Sequence, residues 1–436
     1  MKSNLADVIV VGGGTLGLAA AYHAAQRGLK TAMIDQFAPP PGGGPIDQGS
    51  SRGLERMFRI LYSQPPRVRL VETAYAMWHE MQQQVSSDPS DPSDRILLEQ
   101  DLLFFGNPDI STFEGNIADI RNSMNTMGIP IDDLQNPAEI AAKYPIFNNN
   151  ALYTPDGTPY VGLVQNSGAT INVPRAFQVT RLLAERTGRY RPVQARVVDL
   201  HQTSAGGWHV TLADGETWQS QYLIVCPGVW LDSVLAPLGL RASQASPAWS
   251  IWQMTLGYFN LTAAGKAAHW PIWYEFGNTA DDDQRLFYGF PNVSLTADTT
   301  GKMKISADYA YPDTIFSAPN QMTGKPDPRI IADLQKHLAH LFKPGLIDLV
   351  DPDPQQACVY SMAPDGDIVL GRIPLAPEAT QFRPNAAMLC MASGRGFKYT
   401  PVFGRILVDL AVNGATPYQL DLADFSPTRP NLFQKA

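Results

Sequence analysis

Apolar positions along the chain recur with two periods, and the order of those periods outlines a fold. Val8 to Val11 is a short run of branched apolar side chains, the signature of a buried strand. Residues 14 to 28 carry helix formers and close on Gly28, a natural helix terminator, and Thr31 to Ile34 is a second short strand. A glycine and proline loop from Pro39 to Pro45 follows, then a polar, arginine-bearing stretch from Gly49 to Arg59. Helical spacing runs from Arg67 to Val85 through Val71, Ala74, Trp78 and Met81. Ser86 to Asp94 is a solvated Ser-Asp-Pro loop, and alternation resumes from Leu97 to Phe105. Further helices are predicted at 113–127, 137–144 and 173–187, and strands at 193–200, 208–212 and 222–226.

From Trp249 to Tyr309 the pattern is a meander of aromatic strands, with Trp249, Trp252, Trp270 and Trp273 clustered. Asp327 and Pro328, as N-cap and first-turn proline, open a helix running to Phe342. Strands at 358–362 and 388–391 precede Gly394, Gly396 and a last helix ending near Val412. An α/β start, an antiparallel middle and an α/β finish predict a Rossmann-like nucleotide domain interrupted by a second, α+β domain with a mostly antiparallel sheet. The boundaries expected are 1–90, 150–228 and 355–436 for the first domain, and 91–149 and 229–354 for the second.

Composition narrows the classes. A chain of 436 residues exceeds one ordinary core, and 44% hydrophobic with 17% charged residues is a globular mix. A net charge of −8 argues against nucleic acid or an anionic membrane as partner. Cys226, Cys358 and Cys390 show no metal or redox spacing, which suits a reducing compartment. The first strand begins too early for a secretory signal, and no run of about 18 apolar residues exists to span a bilayer. The expectation is a cytoplasmic protein.

Gly12-Gly13-Gly14-Thr15-Leu16-Gly17 fits G-x-G-x-x-G between a strand and a helix, and Asp35 closes the next strand. Gly12 makes the turn, Gly14 lets the backbone approach a pyrophosphate, and Gly17 lets helix and strand pack closely. The helix N-terminus offers free N–H groups to phosphate, and Asp35 stands where a carboxylate accepts ribose hydroxyls. This motif does not separate NAD from FAD. Near the other end, Met388 to Lys398 repeats the sequence of strand, glycine turn and helix, so a helix N-terminus there could stabilise negative charge on a reduced flavin. Two other patterns are set aside. Gly49-Ser50-Ser51-Arg52-Gly53 matches G-x-S-x-G but lacks the apolar strand of a hydrolase elbow. His337 and His340 lie one helical turn apart with no third ligand nearby, so a solvated helix face is expected rather than a metal site; no metal is expected.

Five ordered segments together resemble the family of monomeric sarcosine oxidase and N-methyltryptophan oxidase. They are the N-terminal fingerprint; Gly49 to Arg59, similar to a glycine-serine-histidine segment ending in R-x-x-R; Phe287-Tyr288-Gly289-Phe290-Pro291, with Lys304 beyond; Cys358-Val359-Tyr360-Ser361-Met362; and Gly394-Arg395-Gly396-Phe397-Lys398. The resemblance spans nearly the whole chain. It implies an FAD-binding domain, a substrate domain and a monomer. FAD would be covalently linked through an 8α-S-cysteinyl bond to Cys358, against the bland reading of a packed, inert thiol. Gly12, Gly14, Gly17, Asp35, Ser50, Arg52, Val197, Gly394, Gly396, Phe397 and Lys398 would complete the cofactor contacts. Lys304 would lie over the flavin and promote reaction with O2, where the plain alternative is a solvated strand lysine and Lys302 competes for the register. Arg59 and Lys398 would hold the substrate carboxylate, with Arg56 and Arg52 near the flavin edge. Tyr288 and Tyr360 would be pocket walls able to hydrogen-bond substrate, or simply core tyrosines.

This chain departs from that family at several positions. Arg52 and Asp308 stand where histidine is usual, and Glu55 replaces a small polar residue. Trp273 replaces a pocket methionine, and Ala392 a pocket phenylalanine. A reshaped pocket with added negative charge points away from sarcosine. It suits a larger amino acid, cyclic, aromatic or carrying a positive charge that Asp308 or Glu55 could meet. The reaction implied is oxidation of the C–N bond to an imine, with O2 reduced to H2O2 and no strong base required. Three alternatives stay open: a flavin dehydrogenase passing electrons to a quinone or carrier protein, a non-catalytic FAD-binding protein, and a nicotinamide dehydrogenase.

Overall fold

The strand Val8–Val11 lies inside a six-stranded sheet with all four side chains buried: Val8 and Val10 pack against helices, and Ile9 and Val11 against a smaller sheet that carries Leu200, Trp208, Val210 and Trp218. In a computed structural model the order is Tyr190–Gln194, Thr31–Asp35, Val8–Val11, Tyr222–Val225, Phe382–Cys390 and Val369–Pro374; only the last pair is antiparallel. The structure describes residues 4–436 apart from 41, 42, 46, 47, 87, 89, 113, 278–285 and 292–294. Part of the expected 39–45 and 86–94 loops, Phe113 and stretches of the aromatic meander therefore lie outside the described residues. Helix Thr15–Gln26 follows the first strand and packs against the helix Thr400–Asn413. Glycine makes that approach possible: a Cβ on Gly404 would come within 2.7 Å of Ala19.

A second sheet lies beside the first, running Ile315–Phe316, Ser250–Asn260, Lys302–Ala307, Phe287–Phe290, Ile272–Phe276, Leu102–Gly106, Val161–Gln165 and Asp132–Leu134, with Gln355–Met362 paired to Ser250–Asn260. It is antiparallel except where Ile272–Phe276 meets Leu102–Gly106. Helix Pro328–Leu341 covers one face, and its N-cap is Asp327, whose carboxylate accepts from the Arg329 N–H at 2.9 Å. The mixed architecture and the antiparallel middle agree with expectation.

Several sequence expectations need correction. The predicted strand 193–200 is two strands: Tyr190–Gln194 joins the parallel sheet, and Val197–Gln202 turns into a separate sheet with Trp208–Leu212 and Thr217–Ser220. The run 97–105 likewise breaks into Leu97–Glu99 and Leu102–Gly106, which hydrogen-bond to different sheets. Val161–Gln165 and Gln355–Met362, expected in the nucleotide part, pair into the second sheet, because their hydrogen-bonding partners are Leu102–Gly106 and Ser250–Asn260. His337 is not on a solvated face. Its ring stacks on Phe287 with centroids 3.9 Å apart, and its Nε2 lies 2.6 Å from the buried carboxylate of Glu275.

Candidate active site

A long cleft opens at the carboxyl ends of the parallel strands, where open α/β sheets take their ligands. Its walls include Gly12, Gly14, Gly17, Asp35, Ser50, Val197, Gly394, Gly396 and Phe397. The glycines are required sterically. A Cβ on Gly17 would lie 1.8 Å from the Gly12 carbonyl oxygen, and one on Gly12 would lie 2.1 Å from that of Cys226. The Asp35 carboxylate is positioned by its own neighbourhood, accepting from the N–H of Gly13 at 2.5 Å and of Phe37 at 2.7 Å. Burial raises its pKa, and those two hydrogen bonds oppose the rise. The Thr15 N–H donates to Ser51 Oγ at 3.1 Å, tying the arginine-bearing segment to the first glycine turn. These features fit the ADP part of a dinucleotide: backbone N–H groups and a helix N-terminus for phosphate, a carboxylate for ribose.

The cleft leads to a second, smaller cavity, and Arg56, Tyr360, Gly394 and Phe397 line both. The turn that supplies this shared wall is strained. Met391 and Ser393 hold φ of 51° and 44°, and Ser393 is fixed by its N–H to the Ser361 carbonyl at 3.0 Å and its hydroxyl to the Asp367 carbonyl at 2.9 Å. Gly394 follows at φ 74°, and a Cβ there would meet the Tyr360 ring at 2.7 Å. The turn from Gly394 to Phe397 faces the cavity, and a 3-10 turn, Phe397–Tyr399 with Gly396 at its N-cap, leads straight into the last helix, as the sequence predicts.

Five cations and three carboxylates line the second cavity: Arg56, Arg59, Lys304, Arg395 and Lys398 against Glu55, Glu114 and Asp308. The Lys304 ammonium donates to the Glu55 carbonyl at 2.8 Å, lies 3.8 Å from the Glu55 carboxylate and sits over the Phe290 ring. Burial lowers its pKa to about 8, with Glu55 resisting. Glu55 in turn accepts from the Tyr258 hydroxyl at 2.5 Å. Arg56 donates to the carbonyls of Glu55, Ser50 and Arg52. Cys358 is buried beside them; burial raises its thiol, while Arg56, Lys304 and Arg52 favour the thiolate. Lys398 donates to the Arg395 carbonyl at 3.1 Å, and burial lowers its pKa. Glu114 bridges two arginines: Arg59 donates to one oxygen, and Arg395 Nε to the other at 2.9 Å. Asp308 accepts from the Tyr274 hydroxyl at 2.7 Å, and Tyr274 stacks on Tyr288 with rings 6° from parallel.

The structure thus brings Lys304, Arg56, Tyr288, Arg59, Lys398, Tyr360, Asp308, Glu55 and Cys358 around one cavity. It does not bring Trp273 there. Successive strand residues face opposite ways, and Trp273 points into the core against Phe342 while Tyr274 faces the cavity. Arg52 lines neither cavity; its carbonyl anchors Arg56. Ala392 lines the cofactor cleft and touches Gly396 rather than walling the smaller cavity. Sequence reasoning gave no role to Glu114, Arg395 or Tyr274. Tyr274 was within reach, one step of alternation from Trp273. Arg395 sat inside a quoted motif. Glu114 lies in the turn before the helix Ile117–Met127, which starts later than the predicted 113, and nothing in sequence announces its partners.

Among the described residues, no helix is long and apolar enough to cross a membrane. A dinucleotide cleft that ends on a buried cationic cavity defines a flavin-type oxidoreductase architecture. The comparisons agree and are more specific. The profile of the FAD dependent oxidoreductase family matches residues 7–410, and the chain belongs to that family. It is 25% identical to human peroxisomal sarcosine oxidase over 98% of this chain and 97% of that protein. It is 26% identical to N-methyl-L-tryptophan oxidase of Citrobacter koseri, covering 97% of this chain and 98% of that one. Among solved structures it resembles NikD, described as an unusual amino acid oxidase essential for nikkomycin biosynthesis, with TM-score 0.76 and 25% identity over 100% of this chain and 98% of NikD.

Proposed function

We propose that the protein is an FAD-dependent oxidase that converts the C–N bond of an amino acid or N-substituted amino acid to an imine, reducing O2 to H2O2. The observation that carries this reading is the wall shared by the two cavities. A dinucleotide in the long cleft would end at Arg56, Tyr360, Gly394 and Phe397, beside a cationic chamber of amino-acid size. When bound, the flavin supplies the two-electron chemistry, accepting a hydride equivalent from the substrate and passing it to oxygen. The chain's own residues do the rest. Lys398 and the Arg59–Glu114–Arg395 cluster bind and orient the substrate carboxylate, and Tyr288 and Tyr360 wall the pocket. Lys304 holds positive charge where oxygen would gain electrons. Cys358 forms the covalent link to the cofactor, helped by the three cations that favour its thiolate. The substrate is larger than sarcosine, with a cyclic, aromatic or cationic group facing Asp308 and the tyrosines. The protein acts as a monomer in the cytoplasm, a setting suited to three buried, unpaired cysteines.

The fold does not decide between oxidase and dehydrogenase, since L-proline dehydrogenase from P. horikoshii shares it with TM-score 0.72 at 14% identity. The buried Lys304 favours oxygen. A peroxide-coupled screen of amino acids and N-methyl amino acids tests the proposal. At least one should give about one H2O2 per flavin turnover. Flavin bleached anaerobically without peroxide in air would indicate the dehydrogenase, and flavin that no amine bleaches would indicate a binding protein.

A further inference from the structure

We propose that Asp308 is a catalytic residue that accepts the proton from the substrate's ammonium nitrogen, with Tyr274 as the residue that positions it. This rests on the amine-oxidation reading above. An amino acid reaches the enzyme at neutral pH with its nitrogen protonated and without a lone pair. The imine C=N bond needs that pair, so one proton must leave nitrogen inside a chamber whose charged walls, Arg56 apart, are buried.

The three cavity carboxylates are not equivalent acceptors. Both oxygens of Glu114 are bound by guanidinium groups, so protonating it would break a buried ion cluster. Glu55 accepts from Tyr258 and faces the Lys304 ammonium. Asp308 has a neutral phenol as its side-chain partner: Tyr274 donates to Oδ2 at 2.7 Å, and among the described residues no side-chain hydrogen bond reaches Oδ1. Protonating Oδ1 therefore breaks no direct ion pair. Lys304 is a donor in this structure, and Tyr62, whose phenol lies beneath Arg59, does not line the cavity.

The surroundings tune the base. Burial raises the Asp308 carboxyl above the ordinary range, while the Tyr274 hydrogen bond, Arg395, Arg59 and Lys398 pull it back. Tyr288 and Tyr360 also face this site and hold their protons, since burial raises each of them, and the Cys358 sulfur is taken up by the cofactor link. In the step, an N–H bond breaks and an O–H bond forms at Oδ1. The electron pair stays on nitrogen and becomes the π bond of the protonated imine when the α-carbon gives up its hydride equivalent. The transfer cancels one positive and one negative charge, so the cavity keeps its cationic surplus for the substrate carboxylate and the reduced cofactor.

The test uses flavin-loaded enzyme and the amino acid that bleaches it fastest, followed anaerobically from about pH 6 to about pH 10. Asp308→Asn should slow bleaching by about 100-fold near neutrality and recover to within about threefold of wild type at the alkaline end, where solution has already removed the proton. That recovery also shows the variant is folded. An Asp308→Asn profile parallel to wild type overturns the proposal. Should Asp308→Asn fail to hold flavin, Tyr274→Phe decides. Losing the phenol raises the carboxyl pKa, so the acid limb should move to higher pH; an unmoved limb overturns the proposal. A wild type that no amine bleaches overturns the functional reading and this inference together, whereas a bleached wild type with an unchanged Asp308→Asn profile overturns this inference alone.

Discussion

The long cleft and the smaller cavity touch at four residues but are built by different means. The cleft is made largely of backbone: Gly12, Gly17, Gly394 and Gly396 are there because a side chain would collide, and at Gly14 a Cβ would stand 3.1 Å from Ser51 Oγ. The cavity is made of side chains that converge from separated segments, Glu55 from one, Glu114 from a loop, Lys304 and Asp308 from near one strand, Arg395 and Lys398 from the last turn. Backbone requirements leave a local mark on sequence, since only glycine meets them. Convergent charges do not, since each ordinary residue takes its meaning from partners elsewhere in the chain, 34 positions apart for Tyr274 and Asp308 and 281 for Glu114 and Arg395.

The sharpest way to break the comparison is at the glycine turn. Gly17→Val places a branched side chain where a Cβ alone would lie 1.8 Å from the Gly12 oxygen, and should abolish flavin retention, read from visible absorbance of the purified protein. Next is Glu114→Gln, which leaves Arg59 and Arg395 buried without their shared carboxylate. It should lower stability by about 3–5 kcal/mol in denaturant titration, because an uncompensated buried charge costs more than the pair contributed. A milder effect concerns Lys304. With its pKa lowered to about 8, the lysine is a cation below that pH and neutral above it, so flavin reoxidation by O2 should slow as pH rises past about 8. An anionic reduced flavin would move that midpoint upward. Lys304→Met should slow reoxidation and remove the pH dependence, measured by stopped-flow mixing with oxygen. The smallest functional effect is expected of Trp273→Phe. It should destabilise by about 1–3 kcal/mol while leaving KM within about twofold of wild type, since its ring packs into the core behind the cavity wall.

The same contrast explains what was legible in sequence. Val8–Val11, the glycine turn and Asp35 could be read directly, because burial on two faces and close backbone approach restrict residue type. The Asp327 cap was equally plain. The strand breaks near Ala195 and Gln100 were not, because the apolar pattern runs through them and only pairing partners separate the pieces. Trp273 shows how little misplacement is needed: one residue of register exchanges the cavity for the core. Lys304 and Lys398 came from motif order. The Arg59–Glu114–Arg395 cluster became visible only when distant loops were brought together.

The central claim is that one flavin nucleotide bridges the two regions, its ring end attached at Cys358. Peptide mapping of the purified protein by mass spectrometry tests it most directly. The account predicts that the peptide containing Cys358 carries the mass of FAD less the two hydrogens lost on forming the S–C bond, and that Cys358→Ala releases the colour on acid precipitation. An unmodified Cys358 peptide from protein that is colourless and takes up no added FAD would contradict it.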